Sequence, residues 1–474
     1  MKKKNIVVLL LDTARLADAY DSRIMPTVSG LARSTTVYSN AIAPGTWTAT
    51  SHAALFTDRR VTAIPQVSRD FFKAKHGIDP WLVKTKFLPS NAKTLAGKLS
   101  RYGYSSMLLS NNPFLSSFTN IAAGFDKTCD VWIDSNVKYN KPLVDRVSFI
   151  LNGGSSAREK MYAVTGAFTS IMPKRVLDPL YLRLRNRLTR GVASADGTYR
   201  LDRGASDALR ALKHYLAYDY AYNPNFIFAN FIEPHENYPA DRSVPQDKWL
   251  YLSGIEEMTE EVTEKLHSAY ARRLHYLDGI VKKTLAALKE HGVLDNAVVV
   301  MASDHGQLFG EHNLLYHALP SYANIAKVPL VVANYENGKP VRMNERIDNT
   351  VSLTSVHQSI LDIASGKEDV LNGNLRREAY AVSEHTGICE GWDEQLLSML
   401  KRRSSYAMRI YKAKEFWNRH ATSIFHGNHE LMHFFDGRGD ELYDLANDPG
   451  EHENIIGGNR ALANEMLRRA NLAK

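Results

Sequence analysis

Three short apolar runs, far apart in the chain, each lead into ionisable residues. Residues 6–11 (IVVLLL) lead into Asp12, residues 225–231 (NFIFANF) into Ile232-Glu233-Pro234-His235, and residues 297–302 (AVVVMA) into Ser303-Asp304-His305. Continuous apolar runs of this length are what strands covered on both faces look like. In open parallel sheets, ligand sites lie beyond the carboxyl ends of the strands. The pattern therefore predicts an α/β fold with a mainly parallel central sheet flanked by helices, and Asp12, Asp304, His305 and His235 at one edge of it. A single strand-end Asp more often serves a turn or a helix cap. The weight lies on three strands doing the same thing.

Between these runs the chain alternates. Helical patterns are expected at 25–34, from 52, at 92–102 before Gly103, at 262–291 before Gly292, and at 351–363. Extended segments are expected at 36–43, 105–110 and 328–332. From about residue 375 the texture changes to short strand-like pieces, such as 405–410, and a final helix from Asn459. This divides the chain into a main domain over 1–374 and a smaller C-terminal α+β subdomain over 375–474. Residues 155–191 interrupt the alternation with Lys174, Arg175, Arg183, Arg185, Arg187 and Arg190 among apolar residues. They read as an insertion or lid. Its basic face is either simply solvated or grips an anionic substrate or a membrane surface as a peripheral contact.

With 474 residues, 44% of them hydrophobic and 23% charged, the chain can bury a large core, and bulk disorder is not expected. A net charge of +8 suits an anionic substrate. No zinc-finger or RNA-recognition pattern accompanies it, so no specific nucleic-acid partner is expected. Oligomeric state leaves no sign in the sequence. Two cysteines, Cys129 and Cys389, make no disulfide framework and fit a reducing, cytoplasmic setting. Three lysines before the first apolar run resemble a signal peptide. That run is short, ends in Asp12 and lacks a small-residue cleavage site, so a buried first strand fits better. No stretch is long enough to span a bilayer.

The same segments, in order, resemble the alkaline phosphatase/sulfatase superfamily, most closely its sulfatase-like branch. NIVVLLLDTAR looks like that family's first strand with its metal-binding Asp. AIAPGTWTATSHAALFTDRR looks like its nucleophile segment and FANFIEPHENY like its Pro-His element. The block from Tyr270 to His317 is similar to its long helix, strand and Asp-His-Gly motif, and DELYDLANDPGEHEN to the ending of the sulfatase-like branch. The resemblance implies an alkaline phosphatase-like catalytic domain that hydrolyses anionic esters with a divalent metal.

Residue by residue, it implies Asp12, Asp304 and His305 as metal ligands, completed by Thr48. Sulfatases carry Cys or Ser, then x-Pro-Ser-Arg, at the nucleophile, and the first residue becomes formylglycine. Here the segment is Thr48-Ala49-Thr50-Ser51-His52. Thr cannot give formylglycine, which shifts the expectation from sulfuric esters to phosphate mono- or diesters, cleaved or transferred. A hydroxyl at its free pKa is a poor nucleophile, and metal coordination lowers that pKa. Thr48 at a helix start also suits an N-cap. Sulfuric ester hydrolysis without formylglycine, or a non-catalytic metal-binding relative, are the alternatives.

Two carboxylates and an imidazole suit Mn²⁺ or Zn²⁺ better than Ca²⁺ or Mg²⁺. Many sulfatases have a second Asp where Thr13 stands. Two-zinc relatives need a further Asp and two His, and Asp278 offers no Asp-x-x-x-His match, so one ion is expected, with His235, His312 and His317 able to supply a second site. The resemblance gives His235 and His317 the task of contacting the ester's oxygens or protonating its leaving group. A solvated loop His is the other reading of His312 and His317. Arg15 fits either a phosphate ligand or a salt-bridge partner.

Overall fold

The computed structural model describes residues 3–64, 88–131, 201–367, 380–386 and 419–472, apart from short gaps within the second and third stretches. The basic segment 155–191 and the strand-like piece 405–410 lie outside the described residues. The strands are β1 (Asn5–Leu11), β2 (Thr36–Ile42), β3 (Ser105–Ser110), β4 (Lys127–Asp130), β5 (Asn225–Phe231) and β6 (Asn296–Ala302). They continue with β7 (Leu308–Phe309), β8 (Leu315–Tyr316), β9 (Lys327–Glu336), β10 (Lys339–Pro340), β11 (Glu345–Ile347) and β12 (Val351–Ser352). All but β7 and β8 join one ten-stranded sheet, ordered β11-β2-β9-β6-β1-β5-β3-β4 with β10 and β12 beside β9 and β2.

β1 lies between β6 and β5, parallel to both. Its side chains alternate between two cores. Val7, Leu9 and Leu11 pack with the helices Pro26–Ser34, Ala205–Tyr218 and Glu260–Glu290. Ile6, Val8 and Leu10 pack with Thr48–Thr57, Leu95–Ser100 and Ser355–Ala364 on the other face. This two-sided burial is why the run is apolar at every position. Each such side chain contributes roughly 1.5–3 kcal/mol, and Leu9→Ala would cost about 2–5 kcal/mol.

The main sheet is mostly parallel, as expected, but β9 runs antiparallel to both β2 and β6. Two expected helices are shorter. The helix expected at 92–102 is Leu95–Ser100, capped by Thr94, whose Oγ1 accepts from the Gly97 N–H at 3.3 Å. The one expected at 351–363 begins at Ser355, because Val351 and Ser352 pair with Ala41 and Ile42 of β2.

The C-terminal part forms an antiparallel sheet of β13 (Ala381–Thr386), β14 (His420–His426), β15 (His429–Phe434) and β16 (Glu441–Asp444). The final helix, Arg460–Arg469, buries Ala463 and Met466 against Ile424, Leu431 and Leu442. Glu384 ties this sheet to the region of Thr48: its N–H donates to the Pro44 carbonyl at 3.0 Å, and its carboxylate accepts from the Thr62 N–H and from Arg60. Among the described residues, no helix is long and apolar enough to cross a membrane.

Candidate active site

The carboxyl ends of β6, β1, β5 and β3 lie side by side. The register pairs Leu10 with Ala302 and with Asn230, and Asn230 with Ser110. Two residues further on, this register sets Asp12 level with Asp304 and with Asn112. The Asp12 N–H continues the pairing by donating to the Phe231 carbonyl at 3.0 Å.

Local geometry then aims each group. Thr13 takes the left-handed conformation (φ +61°), rare for a β-branched residue, and its N–H reaches Asp304 Oδ1 at 3.2 Å. The His305 N–H holds the same oxygen at 3.0 Å. Ser303 Oγ accepts from the Ala14 N–H at 2.9 Å and donates to the His305 carbonyl at 2.7 Å, stitching the two strand ends together. His305 Nδ1–H donates to the Gly306 carbonyl at 2.9 Å, which leaves Nε2 as a lone-pair donor. Gly306 is required, since a Cβ there would collide with the Asn324 carbonyl oxygen.

Ligand atoms of Asp12, Asp304 and His305 lie within 4.8 Å of one another. Asp12 Oδ1, Asp304 Oδ2 and His305 Nε2 are buried and have no hydrogen-bond partner among the described residues. Burial, and then the charge of Asp304, pushes the Asp12 carboxyl up to about 6. Burial pushes Asp304 up to about 7 and His305 down. Two buried carboxylates with unused lone pairs beside a neutral imidazole fit a divalent cation, which would offset the charges that burial otherwise opposes.

Thr48 is the first residue of its helix. The cap position is Trp47, and no side chain caps the helix. The Thr48 hydroxyl therefore does not serve as an N-cap. Its Oγ1 lies 3.4 Å from Asp12 Oδ2. Asn112 Nδ2 donates to that oxygen at 2.6 Å and contacts Thr48 Oγ1 at 3.3 Å. Ser51, one turn on, donates from Oγ to the Asp304 carbonyl at 2.7 Å and so binds the helix to the end of β6. His52 is buried, donates from Nδ1 to the Thr48 carbonyl at 2.8 Å, and is pushed down to about 4 by burial. The first N–H groups of this helix are unpaired within it and give the Thr48 end a partial positive charge.

The other expected residues separate into two groups. His235 and His317 come to the site: the His317 ring centroid is 4.4 Å from that of His305 and 4.8 Å from that of His235. Burial, then His305, His235 and Lys248, hold the His317 pKa well below its ordinary value. His312 instead stacks on Tyr322 at 3.9 Å and faces Glu451 at 3.5 Å. Arg15 pairs with Glu311 at 2.8 Å and with Asp18 at 3.6 Å, so the salt-bridge reading of it holds. Asp278 accepts the Thr27 and Val28 N–H groups at 3.0 Å and anchors the first turn of the helix Pro26–Ser34. Glu233, at the end of β5, holds the start of the helix Ala205–Tyr218 by accepting the Ala205 N–H at 2.9 Å.

Sequence reasoning missed Asn112, Asn230 and Glu236. Asn230 Nδ2 lies 3.5 Å from Asp12 Oδ2. Asn112 had a usable signal: the expected strand 105–110 also ends in polar residues, Asn111-Asn112.

The sulfatase domain family matches residues 4–366. Among curated proteins, arylsulfatase K of Canis lupus familiaris is 24% identical over 223 residues, 42% of this chain and 35% of that protein. An arylsulfatase of Clostridium perfringens is 22% identical over 201 residues, 42% of this chain and 37% of that protein. The matches thus span about a third of those relatives' length. Among solved structures, a protein described as a sulfatase, from Bacteroides thetaiotaomicron, superposes with a TM-score of 0.63 at 17% identity, covering 99% of this chain and 93% of that one. The phosphonate monoester hydrolase of Agrobacterium radiobacter superposes with a TM-score of 0.62 at 17% identity, covering 99% and 94%. At these identities the structural likeness speaks for the fold alone. The family match, over most of the chain, gives the assignment: this protein belongs to the sulfatase family.

Proposed function

We propose that this chain is a metal-dependent hydrolase or transferase of phosphate mono- or diesters, with Thr48 as nucleophile. One observation carries the reading. The Thr48 hydroxyl, unused as a cap, sits beside the unpartnered Asp12–Asp304–His305 group and is held there by Asn112. Asp12, Asp304, His305 and Thr48 would hold one divalent ion, with Mn²⁺ or Zn²⁺ suiting the donor set. When bound, that ion supplies Lewis-acid stabilisation of an ester oxygen and a lower hydroxyl pKa.

The residues do the rest. Thr48 gives up its hydroxyl proton to solvent, its Oγ attacks phosphorus in line, the P–O bond to the leaving group breaks, and the leaving oxygen takes a proton. His235, more exposed than His317, gives that proton. Burial keeps His317 neutral, which suits it to donate a hydrogen bond to a non-bridging oxygen. The helix start behind Thr48 adds oriented N–H groups toward the same oxygens. Water, or an acceptor alcohol, then attacks the phosphorus, its proton is lost to solvent, the bond from phosphorus to Thr48 Oγ breaks, and Oγ regains a proton. On the sequence grounds given above, the proposal takes 1–374 as the catalytic domain, 375–474 as an α+β subdomain, a cytoplasmic setting, and 155–191 as a grip on an anionic substrate or surface.

The arylsulfatase relatives favour a second reading, sulfuric ester hydrolysis at the same centre. Turnover of bis-p-nitrophenyl phosphate and p-nitrophenyl sulfate by wild type and Thr48→Ala separates the two. The proposal expects phosphodiester turnover that Thr48→Ala lowers by about 10⁴-fold or more. Preferential sulfate turnover that depends on Thr48 would replace it with the second reading.

A further inference from the structure

The loop that follows β5 carries His235, and its backbone is tied to two distant parts of the chain. Arg203 Nη1, from the segment before the helix Ala205–Tyr218, donates to the His235 carbonyl at 2.8 Å and reaches the Glu236 and Ile232 carbonyls at 3.1 and 3.3 Å. Arg273 Nη1, from the helix Glu260–Glu290, donates to the same His235 carbonyl at 2.6 Å. The neighbouring Pro234 carbonyl accepts from the Tyr238 hydroxyl at 3.1 Å. Two guanidinium groups thus converge on one backbone oxygen, and it belongs to the residue that gives the leaving group its proton.

This convergence opposes stability. One neutral donor would satisfy a carbonyl, and a buried cation is unfavourable unless it is paired. Arg273 is buried, and its Nε has no hydrogen-bond partner among the described residues. Burial, and then the charge of Arg203, pulls its pKa down to about 10. The Tyr238 ring, centred 5.5 Å from the guanidinium carbon, offsets part of this.

What the two cations supply is a fixed backbone under His235. The imidazole is held in turn. Its Nδ1–H donates to the Glu236 carbonyl at 2.9 Å, and Glu236 Oε2 lies 3.0 Å from the same nitrogen and 3.4 Å from His317 Nδ1. Nε2 is left to carry the proton that passes to the leaving oxygen, after which the imidazole is neutral. We infer that Arg203 and Arg273 are positioning residues for this proton transfer: by fixing the His235 carbonyl they set where Nε2 stands relative to the ester. Proton transfer needs the heavy atoms about 2.6–3.2 Å apart, and a misplacement of about 1 Å can cost roughly 10²-fold.

The inference rests on the proposed function for the role of His235. Its test is how the rate depends on the leaving group. Bis-p-nitrophenyl phosphate releases a weakly basic phenolate that departs without a proton. Diphenyl phosphate releases phenoxide, as basic as a tyrosinate with its pKa of about 10, and calls on the acid. The full chain is assayed with both esters as wild type, His235→Ala and Arg273→Met. His235→Ala is expected to lower diphenyl phosphate turnover by about 10²–10⁴-fold, and the nitrophenyl ester far less. Arg273→Met is expected to lower diphenyl phosphate turnover by about 10²-fold while the nitrophenyl ester stays within about threefold of wild type. Arg203→Met, which removes the other donor, repeats the test should Arg273→Met fold poorly. An equal fall on both esters, or no fall on either, would overturn the positioning role and leave His235 as the acid. No leaving-group preference in His235→Ala would overturn the acid and the inference with it, while Thr48→Ala judges the nucleophile separately.

Discussion

Two of the places that bury carboxylates make a contrast. Asp12 and Asp304 lie at the strand ends of the main sheet, and Glu430 lies on β15 under the C-terminal sheet. Burial is the first cause of a raised pKa in both: Asp12 to about 6, Asp304 to about 7, and Glu430 well above its ordinary value. The surroundings differ. Glu430 faces Glu451, which itself takes the Ala323 N–H at 3.1 Å, and both act on Lys327, a cation whose own pKa burial lowers. The charges that face Glu430 are thus a second carboxylate and an ammonium, and its own two oxygens are also unpartnered among the described residues. At the strand ends, the facing groups are an imidazole, an amide and a hydroxyl, and three lone-pair atoms stay unpartnered among the described residues. A raised carboxylate, even one with unpartnered oxygens, marks burial, whereas unused ligand atoms of three residues converging on one point mark a site.

The sharpest way to break this contrast is to neutralise one member of each cluster. Asp304→Asn should cost the ion and lower turnover by about 10³-fold or more, as expected when several kcal/mol of metal stabilisation is lost. Metal content and initial rates check it, and a variant that keeps both would remove Asp304 from the centre. His317→Ala should lower turnover by about 10²–10⁴-fold while Asp12, Asp304 and His305 still bind their ion. Loss of all metal in that variant would make His317 part of the metal site instead.

The smallest expected effect belongs to the other cluster. Unfolded Glu430 ionises near its ordinary value of 4.5, while in the folded chain it holds its proton to higher pH. Stability is therefore lost as pH rises above about 4.5, because the unfolded state releases the proton first. Glu430→Gln should flatten that loss and add about 1–3 kcal/mol at neutral pH, the range for a buried polar group left unsatisfied or charged. It should leave turnover unchanged. Chemical denaturation at pH 4.5 and pH 7 reads the difference, and a variant less stable at pH 7 than wild type would contradict the assignment.

Much of the centre was legible because burial on both faces leaves an unbroken apolar run, and a charged residue at its end is conspicuous. Asp12, Asp304, His305 and His235 all stand out in this way. Thr48 was legible as a position but not as a role, since a Thr at any helix start can cap it. Asn230 was not legible, and Asn112 only as a polar residue past its strand's end: neutral amides carry no charge or period, and their contacts with Asp12 depend on strand order. Glu236 was hidden for a similar reason, because its partner His317 is 81 residues away in sequence (317 − 236) and arrives through the β7–β8 hairpin. The direction of β9 was also hidden, as an apolar run reads the same in either orientation. Val351 and Ser352 looked helical until their pairing with β2 took precedence over local pattern.

The central claim is that Thr48 carries the transferred group, and trapping it is the most direct test. Wild type turning over bis-p-nitrophenyl phosphate with Mn²⁺ or Zn²⁺ would be quenched in acid, digested and sequenced by mass spectrometry. The account predicts a phosphoryl group on Thr48, absent from Thr48→Ala and from wild type quenched before substrate. Full turnover by Thr48→Ala, or a covalent phosphoryl group on another residue, would contradict it.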